Sequence, residues 1–238
     1  MSETDENSHS PLAAVTAARL FPLPNLVMFP HVVQPLHIFE PRYRQMLIDV
    51  RNSNSLFGLS YFDASSSSAE QPLPGHVGCA AEISETQSMP DGRSNILTVG
   101  LVRYRAEDYV DRGDPYLVAR VSFFEDEEED AALLEESSRE VAGIFTRIAR
   151  AVRLINDERA NLPDISDTDP QRLSFLVAAA MEVETDVKQE LLELRLTSER
   201  LRRLRDMLAR AVTGYEERAR VHEIAKGNGH SGKKIEIE

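Results

Sequence analysis

The sequence predicts an α+β chain, with a β-rich part over residues 19–124 and an all-helical part over 125–226. Three observations carry this. Between residues 20 and 124, short apolar runs are cut by Pro, Gly, Asn and Asp clusters, the pattern of strands and turns. From about 131 onward, apolar residues recur at helical spacing. Between these regions lies Glu125–Asp130, a run of six acidic residues that marks the change of texture.

The elements follow in order. Residues 1–18 are polar and then Ala-rich, and read as a disordered tail. Prolines at 22, 24, 30, 35 and 41 forbid a long helix and leave short extended pieces suited to a sheet edge. A helix starts with Pro41 at its first position. Its apolar face is Tyr43, Met46, Leu47 and Val50, at i, i+3, i+4 and i+7, and Asn52-Ser53-Asn54 ends it. Leu56–Phe62 reads as a strand, and the Ser-rich stretch 63–75 as an exposed loop. Strands at 78–83 and 95–100 flank the turn signal Pro90-Asp91-Gly92, and 101–105 and 116–123 alternate as two more. The acidic run then precedes a helix to about Asn156 and reads as a solvated linker or helix end, with Arg147, Arg150 and Arg153 toward the other end. A short helix covers 171–181. Thr185 and Thr197 are N-cap candidates for two more, the last with a stripe of Leu201, Leu204, Leu208, Ala211 and Tyr215. Residues 227–238 read as a flexible tail.

Composition narrows the function classes. The chain has 238 residues, 42% hydrophobic and 28% charged, which is ordinary for a globular protein with a real core. Its net charge of −13 argues against a surface that meets nucleic acid throughout. Cys79 is the only cysteine, so neither an internal disulfide nor a Cys-rich zinc site can form, and an apolar strand makes it a buried, inert thiol. The acidic start lacks the positive region of a secretory signal, and the longest apolar run is seven residues. A cytoplasmic protein without a membrane anchor is the expectation.

No catalytic or metal constellation emerges, and no cofactor is expected. Gly227–Lys234 spells the first seven positions of a phosphate loop, but Lys234 stands where Ser or Thr must bind Mg²⁺, and the stretch follows a helix. His222-Glu223 opens like a zinc-protease helix, yet Lys226 replaces the second imidazole. There is no Gly-x-Ser-x-Gly, and three of the four lysines sit in the last helix end or tail, where a depressed pKa finds no burial. The one basic concentration is in residues 197–226, with eight basic and five acidic residues. It faces a 125–196 segment with 19 acidic and 8 basic. Arg200, Arg202, Arg203 and Arg205 could meet phosphate; pairing inside the helical part is the simpler account.

The string Phe21-Pro22-Leu23-Pro24-Asn25-Leu26-Val27-Met28-Phe29-Pro30, followed by Pro35-Leu36-His37-Ile38-Phe39-Glu40-Pro41-Arg42-Tyr43, resembles the opening of the Lon protease N-terminal domain family. Gly78-Cys79-Ala80, Pro90-Asp91-Gly92-Arg93 and Gly100-Leu101-Val102-Arg103-Tyr104 continue it in order. The resemblance covers about residues 19–225, with the Ser65–Ser68 loop longer than the family usually has. It implies a PUA-like β pseudo-barrel followed by a helical bundle, and a stand-alone member lacking the ATPase and peptidase domains.

The motif residues that carry over are Pro24, Phe29, Pro30, Phe39, Glu40, Pro41, Arg42 and Tyr43. Their reading is mainly structural, with Glu40 or Arg42 tying the helix to the sheet. The expected function is a non-catalytic polypeptide-binding or adaptor module, with Phe29, Tyr61 and Phe62 as candidate contacts. Its expected partners are unfolded or exposed polypeptide segments and a separate protease. Neither nucleic acid nor membrane is expected, and the oligomeric state is left open. The alternatives are RNA binding through Arg200–Arg205 and a hydrolase that no motif reveals.

Overall fold

The computed structural model describes residues 16–53, 55–63, 71–158, 162 and 164–228. The Ser65–Ser68 loop and most of both expected tails and of the phosphate-loop-like stretch lie outside these residues. The chain divides into two units, one comprising residues up to Glu127 with Ala178–Arg195, the other Glu128–Val177 with Leu196 onward.

The first unit is a six-stranded sheet with β1 (Thr16–Leu23), β2 (Val33–Ile38), β3 (Leu56–Tyr61), β4 (Val77–Ser88), β5 (Ser94–Tyr109) and β6 (Leu117–Phe124). Their order is β2-β5-β4-β3-β1-β6, and a further β5–β6 pairing closes the sheet. All neighbours are antiparallel except β1 and β3. β5 makes closure possible by its length. Residues 94–99 pair with β2, while 103–109 pair with β6.

Two sequence readings change here. The separate strands at 95–100 and 101–105 are one 16-residue strand. Thr16–Ala18, placed in the tail, pair with Val121, Arg120 and Ala119, because a distant strand supplies hydrogen bonds that local propensity cannot reveal.

Helix α1 (Pro41–Arg51) begins with the expected proline and buries Tyr43, Met46, Leu47 and Val50. These join Phe21, Phe57, Leu59, Ile96 and Val118 in the main core, with the Phe21 and Tyr43 rings 4.3 Å apart. A second cluster gathers Leu20, Ala80, Tyr104, Ala106, Ala119 and Val121, small residues around one large ring. Tyr104 is fully buried; its hydroxyl donates to the Leu59 carbonyl at 3.2 Å and lies 2.5 Å from Ser60 Oγ. Burial pushes that phenol far above its ordinary pKa. Gly58 and Gly78 make the room. A Cβ on Gly78 would overlap the Tyr104 ring and the Leu59 carbonyl oxygen. A Cβ on Gly100 would strike the Phe29 carbonyl.

Helix α4 (Thr185–Glu193) clusters with this unit. Polar contacts fix it to the sheet. Gln189 Nε2 donates to the Val77 carbonyl at 2.9 Å, and the Tyr61 hydroxyl donates to Asp186 at 2.6 Å. Arg103 on β5 is 1% exposed and donates to the carbonyls of Leu192 and Leu194. It also pairs with Asp126, whose side chain is 4% exposed, and lies 4.5 Å over the Phe124 ring. The acidic run is therefore not wholly a solvated linker. A buried guanidinium has captured one of its carboxylates.

In the second unit, α2 (Ala131–Ile155) and α5 (Thr197–Asn228) run parallel, as their ion pairs show: Glu140 with Arg205 at 3.7 Å, Arg147 with Glu216 at 2.8 Å, and Asp157 with His222 at 3.1 Å. Asp130 caps α2 by accepting from Ala132 N at 2.8 Å. The buried seam of α5 is Leu201, Leu204, Leu208, Val212 and Ala219. Ala211 and Tyr215 are only half-buried, because a 3.6-residue helix drifts off a 3.5-residue repeat. Thr185 and Thr197 are first helical residues, and the cap of α4 is Glu184. The short helix α3 (Pro170–Ala180) bridges the chain segments of the two units. No helix among the described residues is long and apolar enough to cross a membrane.

Two outcomes are expected. Gly78→Ala should lower the urea unfolding free energy by about 2–3 kcal/mol, since neither the ring nor the carbonyl can retreat. Asp126→Ala should cost about 3–5 kcal/mol by stranding a buried cation, while the double change Arg103→Met with Asp126→Leu should cost much less.

Candidate functional site

The corner where β2 passes into α1 holds most of the motif residues. Among the described residues β2 is the outer strand, with β5 on one side only. Pro35 sits in its middle, where a missing N–H is tolerated only at an edge. Gly100 N donates to the Val32 carbonyl at 3.0 Å. By the two-residue alternation, even-numbered residues turn their peptide groups toward β5 and odd-numbered ones toward the open side. Val33 and His37 thus offer main-chain groups outward, on either side of Pro35.

The side chains here are unusually apolar for a surface. Val33 is 54% exposed, Phe39 57% and Ile48 54%. The Phe39 ring stacks on His37 with centroids 5.9 Å apart, and His37 Nδ1 lies 2.7 Å from Asn95 Oδ1, which steadies the pair. Pro41, Gln45 and Ile48 share the outer face of α1 at i, i+4 and i+7. Glu40 and Arg42 pair with each other at 2.8 Å, and the Arg42 guanidinium lies 4.6 Å over the Tyr43 ring. Through this mutual contact they brace the helix start.

The three candidate contacts fare differently. Phe29 is 0% and Phe62 7% exposed, so both rings are core and out of reach of a docked chain. Tyr61 is half-buried and tied through its hydroxyl to Asp186, which raises its pKa to about 12. Of the motif residues, Phe39 is the one large apolar side chain left in solvent. A sequence signal existed: Phe39 falls between the last alternating position of a strand and a helix-starting Pro41, where no face of either element claims it.

The basic helix is also re-read. Arg200 is fully buried, bonds Ser174 Oγ at 2.7 Å and lies 3.9 Å over the Phe175 ring. Arg202 and Arg203 pair with Glu199, and Arg205 with Asp206 and Glu140. Arg202, Arg203 and Arg205 are thus in ion pairs within the helical part, and Arg200 is held there by a hydroxyl and a ring. Cys79 is fully buried and its thiol is pushed up to about 12, as for an inert core residue. Among the described residues no cluster of His, Cys, Asp or Glu could hold a metal ion.

Fold and motif together define a mixed α+β chain whose closed sheet exposes an apolar edge at its best-marked sequence segment. The chain belongs to the family described as the ATP-dependent protease La (LON) substrate-binding domain, whose model matches residues 17–210. It is 29% identical over 205 residues to Lon protease 1 of Syntrophobacter fumaroxidans, covering 84% of this chain and 24% of that protein. It is 24% identical over 221 residues to the Lon protease of Rhizobium meliloti, covering 92% of this chain and 27% of that one. The chain thus spans about a quarter of the length of these curated relatives. Among solved structures, it is similar to the N-terminal domain of Mycobacterium avium complex Lon protease. The TM-score is 0.62 at 19% identity, covering 82% of this chain and 98% of that one. It is also similar to a Lon N-terminal domain protein from Xanthomonas campestris, with a TM-score of 0.59 at 21% identity, covering 80% and 97%. These likenesses agree with the α+β fold expected from sequence.

One titratable group has a testable consequence. His76 is largely buried, which holds its imidazole below the ordinary 6.5, while Glu193 pulls the other way. Its Nε2 has no hydrogen-bond partner among the described residues, which favours the neutral ring. With the folded pKa depressed, the unfolded chain takes the proton first. Stability is then intact above about pH 6.5 and is lost as pH falls through the folded pKa. Urea midpoints of His76→Gln should show a shallower decline as pH falls below about 6.5 than the unsubstituted chain.

Proposed function

We propose that this chain is a non-catalytic polypeptide-recognition module that takes exposed or unfolded segments and acts as an adaptor. The observation that carries the reading is the open outer side of β2 with Val33 and Phe39 in solvent, inside the segment with the strongest family motif. An extended chain laid along β2 would gain main-chain hydrogen bonds outward from Val33 and His37, and apolar contact with Phe39. Main-chain pairing is indifferent to side-chain identity, so such a site accepts many segments, and Phe39 adds a preference for apolar or aromatic neighbours. Pro35 keeps the edge from zipping to another long strand, which suits transient capture better than permanent assembly. The family description supports substrate recognition, since its relatives are proteases of which this chain matches the substrate-binding part.

The same reading includes a cytoplasmic setting and work beside a separate protease. The engaged arginines of α5 favour it over RNA binding, because phosphate would have to displace partners already in place.

The test is an anisotropy titration with a reduced, carboxymethylated model polypeptide, expected to saturate in the tens of micromolar. Phe39→Ser should weaken binding about tenfold, the worth of a half-exposed phenyl ring newly covered, with the melting temperature unchanged. No saturation by about 100 μM, a binding free energy near −5.5 kcal/mol, would refute the reading.

A further inference from the structure

A concave surface lies in the first unit, formed by other residues than the β2 edge. It is a cleft of about 520 Å³ lined by Ala17, Arg19, Asp49, Asn52, Ser53, Arg112, Asp114, Tyr116 and Val118. Its floor is the β1–β6 pair, where Arg19 stands opposite Val118. One wall is the C-terminal end of α1 with Asp49, Asn52 and Ser53. The other is the turn between β5 and β6, shaped by Gly113 at φ 74° and its N–H bond to Asp111 at 3.0 Å.

Four unit charges, two of each sign, line this cleft, and among the described residues no ion pair closes between them. The reason is visible at its floor. Tyr116 donates its hydroxyl to Asp49 Oδ2 at 2.7 Å, and the hydroxyl oxygen itself accepts from Arg19 Nε at 3.4 Å. Burial, then the bond to Asp49, raises that phenol's pKa, so the proton stays on and the hydroxyl serves both neighbours. Gln45 occupies Asp49 Oδ1 at 3.0 Å, and Arg19 Nη1 reaches Ser53 Oγ at 3.3 Å. A neutral phenol therefore stands between a guanidinium and a carboxylate that would otherwise collapse together. Arg112 and Asp114 project from either side of Gly113, both exposed.

A ligand with a single charge gains little here. A lone anion meets Asp49 and Asp114 as well as the arginines, and a lone cation meets the arginines as well as the acids. A ligand carrying both charges close together can satisfy both sets at once. Guanidinium forks match a carboxylate in plane. An ammonium suits the two acids and the negative end of the α1 dipole. The volume falls in the range of small-molecule sites. We infer that this cleft binds a zwitterion of the α-amino-acid class, its carboxylate toward Arg19 and Arg112 and its ammonium toward Asp114 and Asp49. This is independent of polypeptide capture at β2.

The experiment is an amide chemical-shift titration of the full chain with L-alanine. Sodium acetate, methylammonium chloride, N-acetylalanine and alanine amide serve as single-charge controls, and dialanine as the peptide source of the same two charges. L-alanine or dialanine should give saturable, millimolar shifts confined to residues 49–53 and 112–118, with every single-charge control at least about tenfold weaker. Arg112→Gln and Asp114→Asn, both at exposed positions, should each weaken binding by about tenfold without moving the melting temperature. Preference for dialanine over L-alanine supports the zwitterion chemistry and assigns it to peptide ends; the reverse assigns it to the free amino acid. Acetate binding as well as L-alanine, indifference to both substitutions, or no saturation of either zwitterion by about 50 mM would overturn the inference.

Discussion

The first unit is organised around one buried charge. Arg103 lies in the middle of β5 with 1% of its surface in solvent, and a guanidinium so placed must be fully partnered or the chain will not close over it. Its partners come from distant stretches of sequence: Asp126 just after β6, and the carbonyls of Leu192 and Leu194 at the end of α4. The Phe124 ring lies against its flat face. Meeting this one demand fixes where the chain leaves the sheet and where it returns. The two passing segments then add a bond of their own, Glu127 N to the Arg195 carbonyl at 2.8 Å.

The neighbour of Arg103 sets the opposite face. Successive residues of a strand point to opposite sides, so if Arg103 faces α4, Tyr104 faces the small-residue cluster. There it fills a space that Gly58 and Gly78 leave open, and its hydroxyl finds Ser60 and Leu59. The motif strings Gly78-Cys79-Ala80 and Gly100-Leu101-Val102-Arg103-Tyr104 thus describe one packing solution. Glycine is needed where a ring or a carbonyl approaches, tyrosine where one ring must fill the volume, and arginine where three chain segments must meet.

Local patterns were legible wherever a short stretch carries its own cause. Pro41 with the 43-46-47-50 face specified α1, and Pro90-Asp91-Gly92 specified the turn between β4 and β5. The acidic run marked a real change from strand to helix. Other features were not legible because their cause lies elsewhere in the chain. Phe29 and Phe62, named as candidate contacts, stand beside prolines and a polar loop, and their burial becomes visible only in the closed sheet. Asp126 looks like one of six solvated acids until Arg103 is placed beside it. Arg200 looks like part of a basic helix face until Ser174 and Phe175 receive it. Phe39 could be read as a motif residue, but only the edge position of β2 shows that its ring is left in solvent.

By itself the sequence determined the fold class, the helix at 41–51, the hairpin turn, the inert thiol and the family. Each of these depends on contiguous spacing, on turn chemistry or on an ordered motif. Tertiary structure alone decided which charges are buried, that 94–109 is a single strand serving two partners, and that α4 clusters with the sheet. It also decided which aromatic ring stays in solvent and which opposite charges are held apart in a cleft. The physical reason is that burial and pairing are properties of groups brought together from far apart in the chain. A residue's own neighbours in sequence limit its backbone, but the groups it meets across space decide whether its side chain becomes core, brace or contact.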